Sequence, residues 1–330
     1  MSKLPPSKSS RSSKTQIAIL GASGHIGKNL LTRLSAIDGF EILAYGRAPE
    51  KISMFLDQEN IHRKNISCLS LNDFPKHHVD MVINAIGIGS PKGLQALHRK
   101  DFLDFKDSEI FYLTNHYDDL VIDYLSEHKH CLYINLSSGA VYGKDFIQPP
   151  TADTKPNFNI DAPKPEDFYG LAKLYVETKH ATLKEFKIID LRIFNFFSHY
   201  IDLDDGFIIC DMIKNTQNHS VFETTSDDLV RDFVHPEDLE KLILLCFDDH
   251  KSGVFDVYSK KPISKFEMLE WFQNQFGLKY SVKNIKLEKA TGFKKNYFSE
   301  NHAAETLGYK PSYSSLNTLT IEVKSILGIS

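Results

Sequence analysis

The chain has 330 residues, 42% of them hydrophobic and 25% charged, an ordinary globular balance with length for one large domain or two packed ones. A formal net charge of −4 gives no bulk attraction to nucleic acid or an anionic membrane, so an anionic ligand needs a few placed basic groups. The four cysteines, Cys68, Cys131, Cys210 and Cys246, lack CxxC spacing, which argues against a metal site and suits a reducing cytoplasm, with Cys131 and Cys246 as buried thiols.

In chain order, MSKLPPSKSSRSSK (residues 1–14) is polar and basic, lacks the apolar core of a signal peptide and reads as a disordered tail. No run of about 18 apolar residues occurs, so no membrane span is expected. Ile17, Ala18, Ile19 and Leu20 form a short apolar run typical of a strand buried on both faces, ended by Gly21. KNLLTRLSAI then has helical periodicity. FEILAYGR and DMVINAIG (80–87) read as further buried strands, NHYDDLVIDYLSEH as a helix and CLYINLSS (131–138) as a strand. Residues 167–180 read as a helix and KIIDLRIFN (187–195) as a strand. This alternation predicts right-handed βαβ units, hence an α/β fold with a doubly wound parallel sheet over residues 15–195.

Beyond residue 196 charged loops and short apolar runs replace the alternation. HPEDLEKLILLCF (235–247) and ISKFEMLEWFQNQFG (263–277) read as amphipathic helices, the second with Ser264 as N-cap and Gly277 as C-cap. Residues 196–330 are expected to form a smaller, mostly helical lobe that closes over the sheet or interleaves with it, with ligand in the cleft.

GASGHIG places Gly21, Gly24 and Gly27 on a strand-to-helix turn. A pyrophosphate must approach such a backbone closely, and the helix N-terminus offers it unpaired N–H groups and a favourable dipole. The glycines, with Ser23, His25 and Ile26 between them, are therefore candidate cofactor contacts. Asn84, Ala85, Ile86 and Gly87 end the next-but-one predicted strand and would pass close to the adenosine and ribose. The second strand ends in Tyr45-Gly46-Arg47, without the acid that binds a ribose 2′-hydroxyl. Arg47 can instead pair with a 2′-phosphate, which favours NADP(H) while leaving NAD(H) compatible.

FYGLAKLYVETKH (168–180) holds a Tyr–Lys pair at four-residue spacing twice, Tyr169–Lys173 and Tyr175–Lys179. At about 100° per residue, Tyr175 falls among Phe168, Leu171 and Ala172 on the apolar face and reads as a core tyrosine. Tyr169 and Lys173 lie to one side, free to face a cleft. SSGAVYG (137–143) ends a predicted strand where ligands of open α/β sheets bind. A serine there can hydrogen-bond a substrate oxygen. A nearby ammonium and a positive nicotinamide ring both favour the phenolate, so Tyr169 can move a proton while hydride passes, and Lys173 can hold the ribose hydroxyls.

GASGHIG, NAIG, SSGAVYG, YGLAK, LRIFN and RDFVHPEDL, in this order and spacing, resemble the extended short-chain dehydrogenases/reductases, the NAD-dependent epimerase/dehydratase group acting on nucleotide sugars. The resemblance runs from about residue 15 to the end, with GVFDVYS and AAETLGYKPSYS similar to its C-terminal segments. It implies a Rossmann-type fold, a catalytic set of Ser138, Tyr169 and Lys173, and substrate contacts by Asn195 and Arg231, an arginine suiting the pyrophosphate. A homodimer joined through two helices of each subunit is implied too. Two departures matter. The acidic pair that sugar 4,6-dehydratases carry after the catalytic Ser/Thr is replaced by Gly139 and Ala140, which disfavours dehydration. The usual Gly-Pro after LRxxN is replaced by FNFFSHYIDLDDG, so sugar recognition by that loop does not transfer.

The expected function is an NADPH-dependent reductase of a 4-keto-6-deoxy nucleotide sugar, similar to synthases of deoxyhexoses for surface polysaccharides. The alternative is a nucleotide-sugar 4-epimerase or 4-dehydrogenase with retained NAD. A non-enzymatic dinucleotide sensor on the same fold is the third reading, opposed by the intact Ser/Tyr/Lys set.

Overall fold

The computed structural model describes residues 14–62, 64–87, 89, 109–143, 146–249, 251–283 and 294–329. All but one residue of the predicted N-terminal tail lie outside these.

The main sheet has seven parallel strands: β1 (Thr15–Leu20), β2 (Phe40–Gly46), β3 (Ile66–Ser70), β4 (Met81–Asn84), β5 (Leu132–Ser138), β6 (Lys187–Ile193) and β7 (Gly253–Val257). Their spatial order is β7-β6-β5-β4-β1-β2-β3. Winding reverses between β1 and β4, and a ligand crevice opens at the carboxyl ends of strands beside such a switch point. The glycine turn GASGHIG and the NAIG segment both leave the sheet there.

Side chains alternate across each strand, which divides the apolar residues between two layers. Ile17, Ile19, Ile42, Met81, Ile83, Ile134 and Leu191 belong to one buried cluster. It is covered by α1 (His25–Ser35), α2 (Pro49–Gln58) and α6 (Pro236–Asp249), which contribute Leu31, Leu34, Phe55, Leu239 and Ile243. Ala18, Leu20, Tyr45, Val82 and Tyr133 face the other way, onto Val121, Tyr124 and Leu125 of α3 (Glu109–Glu127). Next to α3 lies α4 (Pro165–His180), the helix of FYGLAKLYVETKH.

The C-terminal part builds its own core. Ile209, Met212 and Ile213 of α5 (Ile208–Gln217) pack with Met268, Leu269 and Phe272 of α7 (Lys265–Phe276) and Leu319 and Val323 of α8 (Ser315–Leu327). The predicted caps of α7 are present: Ser264 Oγ accepts the Glu267 N–H at 3.2 Å, and Gly277 takes the left-handed conformation at φ +69°. β7 comes from this same half of the sequence yet pairs with β6 in the main sheet. Its alternation sends Val257 into the sheet core and Asp256, also buried, toward Tyr142. No helix of the described residues is long and apolar enough to cross a membrane.

Candidate active site

The turn after β1 is fixed by its backbone. Gly21, at φ +80°, and Ala22 both donate to the carbonyl of Tyr45 at 3.0 and 3.1 Å, and the Gly24 N–H returns to the Gly21 carbonyl at 2.9 Å. A Cβ on Gly27 would stand 2.1 Å from that same carbonyl oxygen, so only glycine lets α1 approach the loop this closely. Helix α1 starts after Gly24 with no side-chain cap and no acid in its first turn. Its leading N–H groups and dipole thus suit an anion, and the turn fits a dinucleotide pyrophosphate. Ser23 lies beside Gly46, and Ile26 packs on the sheet core. The His25 ring turns toward the C-terminal half, with Nε2 2.9 Å from Ser198 Oγ and its edge against Phe196. Burial lowers its pKa to about 4, so it is neutral. Arg47 is exposed just past the end of β2.

Asn84 organises the end of β4. Its Oδ1 accepts the Ile86 N–H at 3.1 Å, and its Nδ2 donates to the Tyr133 hydroxyl at 3.1 Å. The Ala85 N–H joins the Leu20 carbonyl at 2.9 Å, so this segment abuts the glycine turn. Gly87 follows beside the Lys173 ammonium, and Gly89 beside the Tyr169 hydroxyl, which a Cβ at Gly89 would approach to 3.2 Å.

Ser138 is the last residue of β5 and is buried; its Oγ accepts the Ala140 N–H at 3.2 Å. Tyr169, from α4, brings its phenol toward this serine, and burial raises its pKa. One turn on, Lys173 is buried and donates from Nζ to the Leu136 carbonyl at 2.8 Å. Burial lowers its pKa, opposed by the charges of Asp118, Asp190 and Glu177. Ser138, Tyr169, Lys173 and the NAIG segment therefore share one pocket.

Tyr175 is not a core residue: it is 56% exposed, on the outer side of α4. The face of α4 turned to the sheet carries Gly170, Lys173, Glu177 and His180. Polar contacts hold it there: Glu177 accepts from Ser137 Oγ at 2.5 Å and from Arg192, and His180 meets Asp190. Counting apolar residues therefore found the wrong face, although the Tyr169–Lys173 frame is the one in the pocket.

Asn195 and Arg231 meet at Tyr297, which the sequence reading missed. Asn195 Nδ2 reaches the Tyr297 carbonyl at 3.5 Å, and Arg231 pairs with Tyr297 in a short parallel ladder. The Tyr297 hydroxyl lies 3.3 Å from Ser138 Oγ. Arg231 Nη1 donates to the Val230 and Lys294 carbonyls at 2.7 and 2.9 Å. Lys294, also missed, stacks its ammonium on the Tyr297 ring at 4.3 Å. Burial lowers Arg231 to about 10; burial and the Arg231 charge lower Lys294 to about 8. Neither cation forms an ion pair with a carboxylate among the described residues, so the pair is suited to a phosphate-bearing ligand. Tyr297 sits in a two-residue strand, too short to carry periodicity. At Gly139, a Cβ would lie 2.5 Å from the Phe194 ring, which leaves no room for an acidic side chain.

A glycine turn at the switch point, with a serine, a tyrosine and a lysine converging beside it, defines a nicotinamide-dependent enzyme on a Rossmann-type sheet. Residues 17–259 match the NAD dependent epimerase/dehydratase family, and the chain belongs to that family. Among solved structures, it is similar to a UDP-glucuronic acid 4-epimerase from Bacillus cereus in complex with UDP-glucuronic acid and NAD, at 18% identity and a TM-score of 0.74, over 95% of this chain and 99% of that one. A UDP-glucose-4-epimerase from Stenotrophomonas maltophila with bound NAD and formylated UDP-arabinopyranose is 17% identical with a TM-score of 0.76, over 94% of this chain and 97% of that one. A dTDP-glucose 4,6-dehydratase from Bacillus anthracis in complex with NAD is 14% identical with a TM-score of 0.72, over 94% of this chain and 96% of that one. At these identities the likeness establishes the shared fold. No curated protein sequence matches significantly.

Proposed function

We propose that this enzyme is a nucleotide-sugar 4-epimerase or 4-dehydrogenase that retains NAD. The observation that carries this reading is the convergence of Ser138, Tyr169 and Lys173 beside the NAIG segment. The turn at Gly21, Ser23, Gly24, His25, Ile26 and Gly27 would hold the pyrophosphate, with Asn84, Ala85, Ile86 and Gly87 along the adenosine and ribose. Bound nicotinamide would accept a hydride from the sugar and return it. Ser138 orients the C4 oxygen. Tyr169 takes the C4 hydroxyl proton and returns it to the reduced centre. Lys173 favours the phenolate and holds the ribose. Arg231, Lys294 and Asn195 would anchor the pyrophosphate of the sugar nucleotide, in keeping with residues 15–195 serving chiefly the cofactor and residues 196–330 chiefly the substrate. With Gly139 packed on Phe194, the acid needed for dehydration is absent. The similar epimerase and dehydratase structures carry NAD, which favours a retained NAD over free NADPH. Exposed Tyr112 and Tyr175 on the adjacent helices α3 and α4 suit a homodimer built on those helices.

Arg47 supports the second reading, an NADPH-dependent 4-keto sugar reductase, because no carboxylate stands at the end of β2 to repel a 2′-phosphate. Releasing the nucleotide from purified protein by denaturation separates the two. NAD or NADH at near one per chain, with interconversion of a UDP-sugar and no added cofactor, is the expected result, and Arg47→Ala should change it less than twofold. Protein that arrives empty and oxidises added NADPH with a 4-keto sugar, losing roughly tenfold or more in NADPH affinity on Arg47→Ala, overturns the first reading in favour of the second.

A further inference from the structure

Lys173, Glu177 and His180 follow one another at i, i+4 and i+7 on the buried face of α4. The first belongs to the proton-transfer set and the second pairs with Arg192. His180 has no assigned role and is 7% exposed. Its Nε2 lies 2.9 Å from Asp118 Oδ1, and its Nδ1 lies 3.0 Å from both Asp190 oxygens. Both ring nitrogens thus face carboxylates, and only the doubly protonated imidazolium can donate to both.

The contacts continue in two directions. Asp118 Oδ1 also accepts the Tyr133 hydroxyl at 2.7 Å; Tyr133 accepts from Asn84, which holds the Ile86 N–H at the cofactor segment. Asp190 accepts Asn135 Nδ2 at 2.7 Å, on the strand whose next residue, Leu136, receives Lys173. One connected set of polar groups therefore runs from the NAIG segment through His180 to the backbone beneath Lys173.

We propose that His180 is a positioning residue: a fixed cation clamped between Asp118 and Asp190 that sets the orientation of α4 and the charge balance around Lys173 and Tyr169. This rests on the reading of Tyr169 and Lys173 as the proton-transfer pair.

The groups facing His180 are Asp118 on α3, Tyr133 on β5, Asp190 on β6 and Lys179 on its own helix, the last 2.6 Å from Asp118 Oδ2. Lys173 is under the charges of Asp118, Asp190 and Glu177, and Tyr169 is near Tyr297, itself close to Arg231 and Lys294. Burial alone would lower His180, but the hydrogen bonds and charges of Asp118 and Asp190 outweigh it and raise its pKa to about 9. A histidine raised in the folded state stabilises fully below its unfolded value, near 6.5, and loses that contribution as pH rises through about 9. Removing its charge leaves two carboxylates less compensated, which makes the Tyr169 phenolate harder to form.

The test measures two quantities in wild type, His180→Asn, Asp118→Asn and the double variant. The first is the acid limb of the pH–kcat/KM profile, where His180 is charged. It should move up by about one pH unit in His180→Asn, down in Asp118→Asn, and return near wild type in the double variant. The second is the melting temperature between pH 7 and 10, whose decline should flatten in His180→Asn. A purely structural histidine would lower the melting temperature and leave the acid limb in place, so an unmoved limb in folded His180→Asn overturns the proposal. If that variant does not fold, an unmoved limb in Asp118→Asn does the same. Error in the underlying reading would show separately, as turnover surviving in Tyr169→Phe.

Discussion

Replacing Tyr169 with phenylalanine is expected to lower kcat by about 10²- to 10⁴-fold, the range that a positioned acid–base group contributes, while nicotinamide stays bound. The ring and its packing survive the change. What is lost is the hydroxyl that lies beside Gly89 and faces Ser138. Tyr175→Phe is the internal control. It removes a hydroxyl from the same helix and the same Tyr–Lys spacing, but from a side chain that is 56% exposed on the outer face. It should leave kcat within about twofold, as surface substitutions usually do. Steady-state rates with cofactor content measured in parallel check both. The reverse pattern would assign the proton to the second frame.

Gly27→Ala is the second large effect. The added methyl would lie 2.1 Å from the Gly21 carbonyl oxygen and 2.8 Å from Ala22 Cα, both backbone atoms that cannot swing aside. Either the turn opens or α1 withdraws, and both displace the N–H groups proposed to face a dinucleotide pyrophosphate. Purified Gly27→Ala protein should arrive without nucleotide and bind added NAD at least roughly 100-fold more weakly, about 2.7 kcal/mol. Overpacking should also lower stability by about 1–3 kcal/mol. Gly24→Ala is the graded comparison: its Cβ would meet the Gly21 carbonyl at 3.3 Å, which a small shift relieves. Titration of stripped protein with NAD, followed by calorimetry or fluorescence, measures both. Equal affinities in the two variants would mean that the turn does not hold the phosphates.

The central strands and the glycine turn were legible because they are local. Ile17–Leu20 is buried on both faces, so its apolar run is unbroken, and the turn residues follow it at once. β7 was not recognised as part of the sheet. Its place depends on pairing with β6, 64 residues earlier in register, and no local pattern encodes such a pairing. Tyr175 failed for a different reason. Helical phase assumes that the buried face is the apolar one, whereas α4 buries Lys173, Glu177 and His180 against carbonyl, hydroxyl, guanidinium and carboxylate groups of neighbouring elements. Each partner comes from another segment, so the charges look like a solvated face until the fold brings them together. Tyr297, in a two-residue strand, and Lys294, just before it, likewise show no local pattern; only the fold brings Tyr297 to Ser138 and the Lys294 carbonyl to Arg231.

A nucleotide sugar carrying deuterium at C4 tests the central claim most directly. Purified protein without added cofactor should convert a UDP-hexose or UDP-hexuronic acid so labelled into its C4 epimer. The label should remain on C4 of the product, because the hydride leaves and returns within one site. Label recovered in free nucleotide or water, or turnover that requires added NADPH and a 4-keto sugar, would contradict this account.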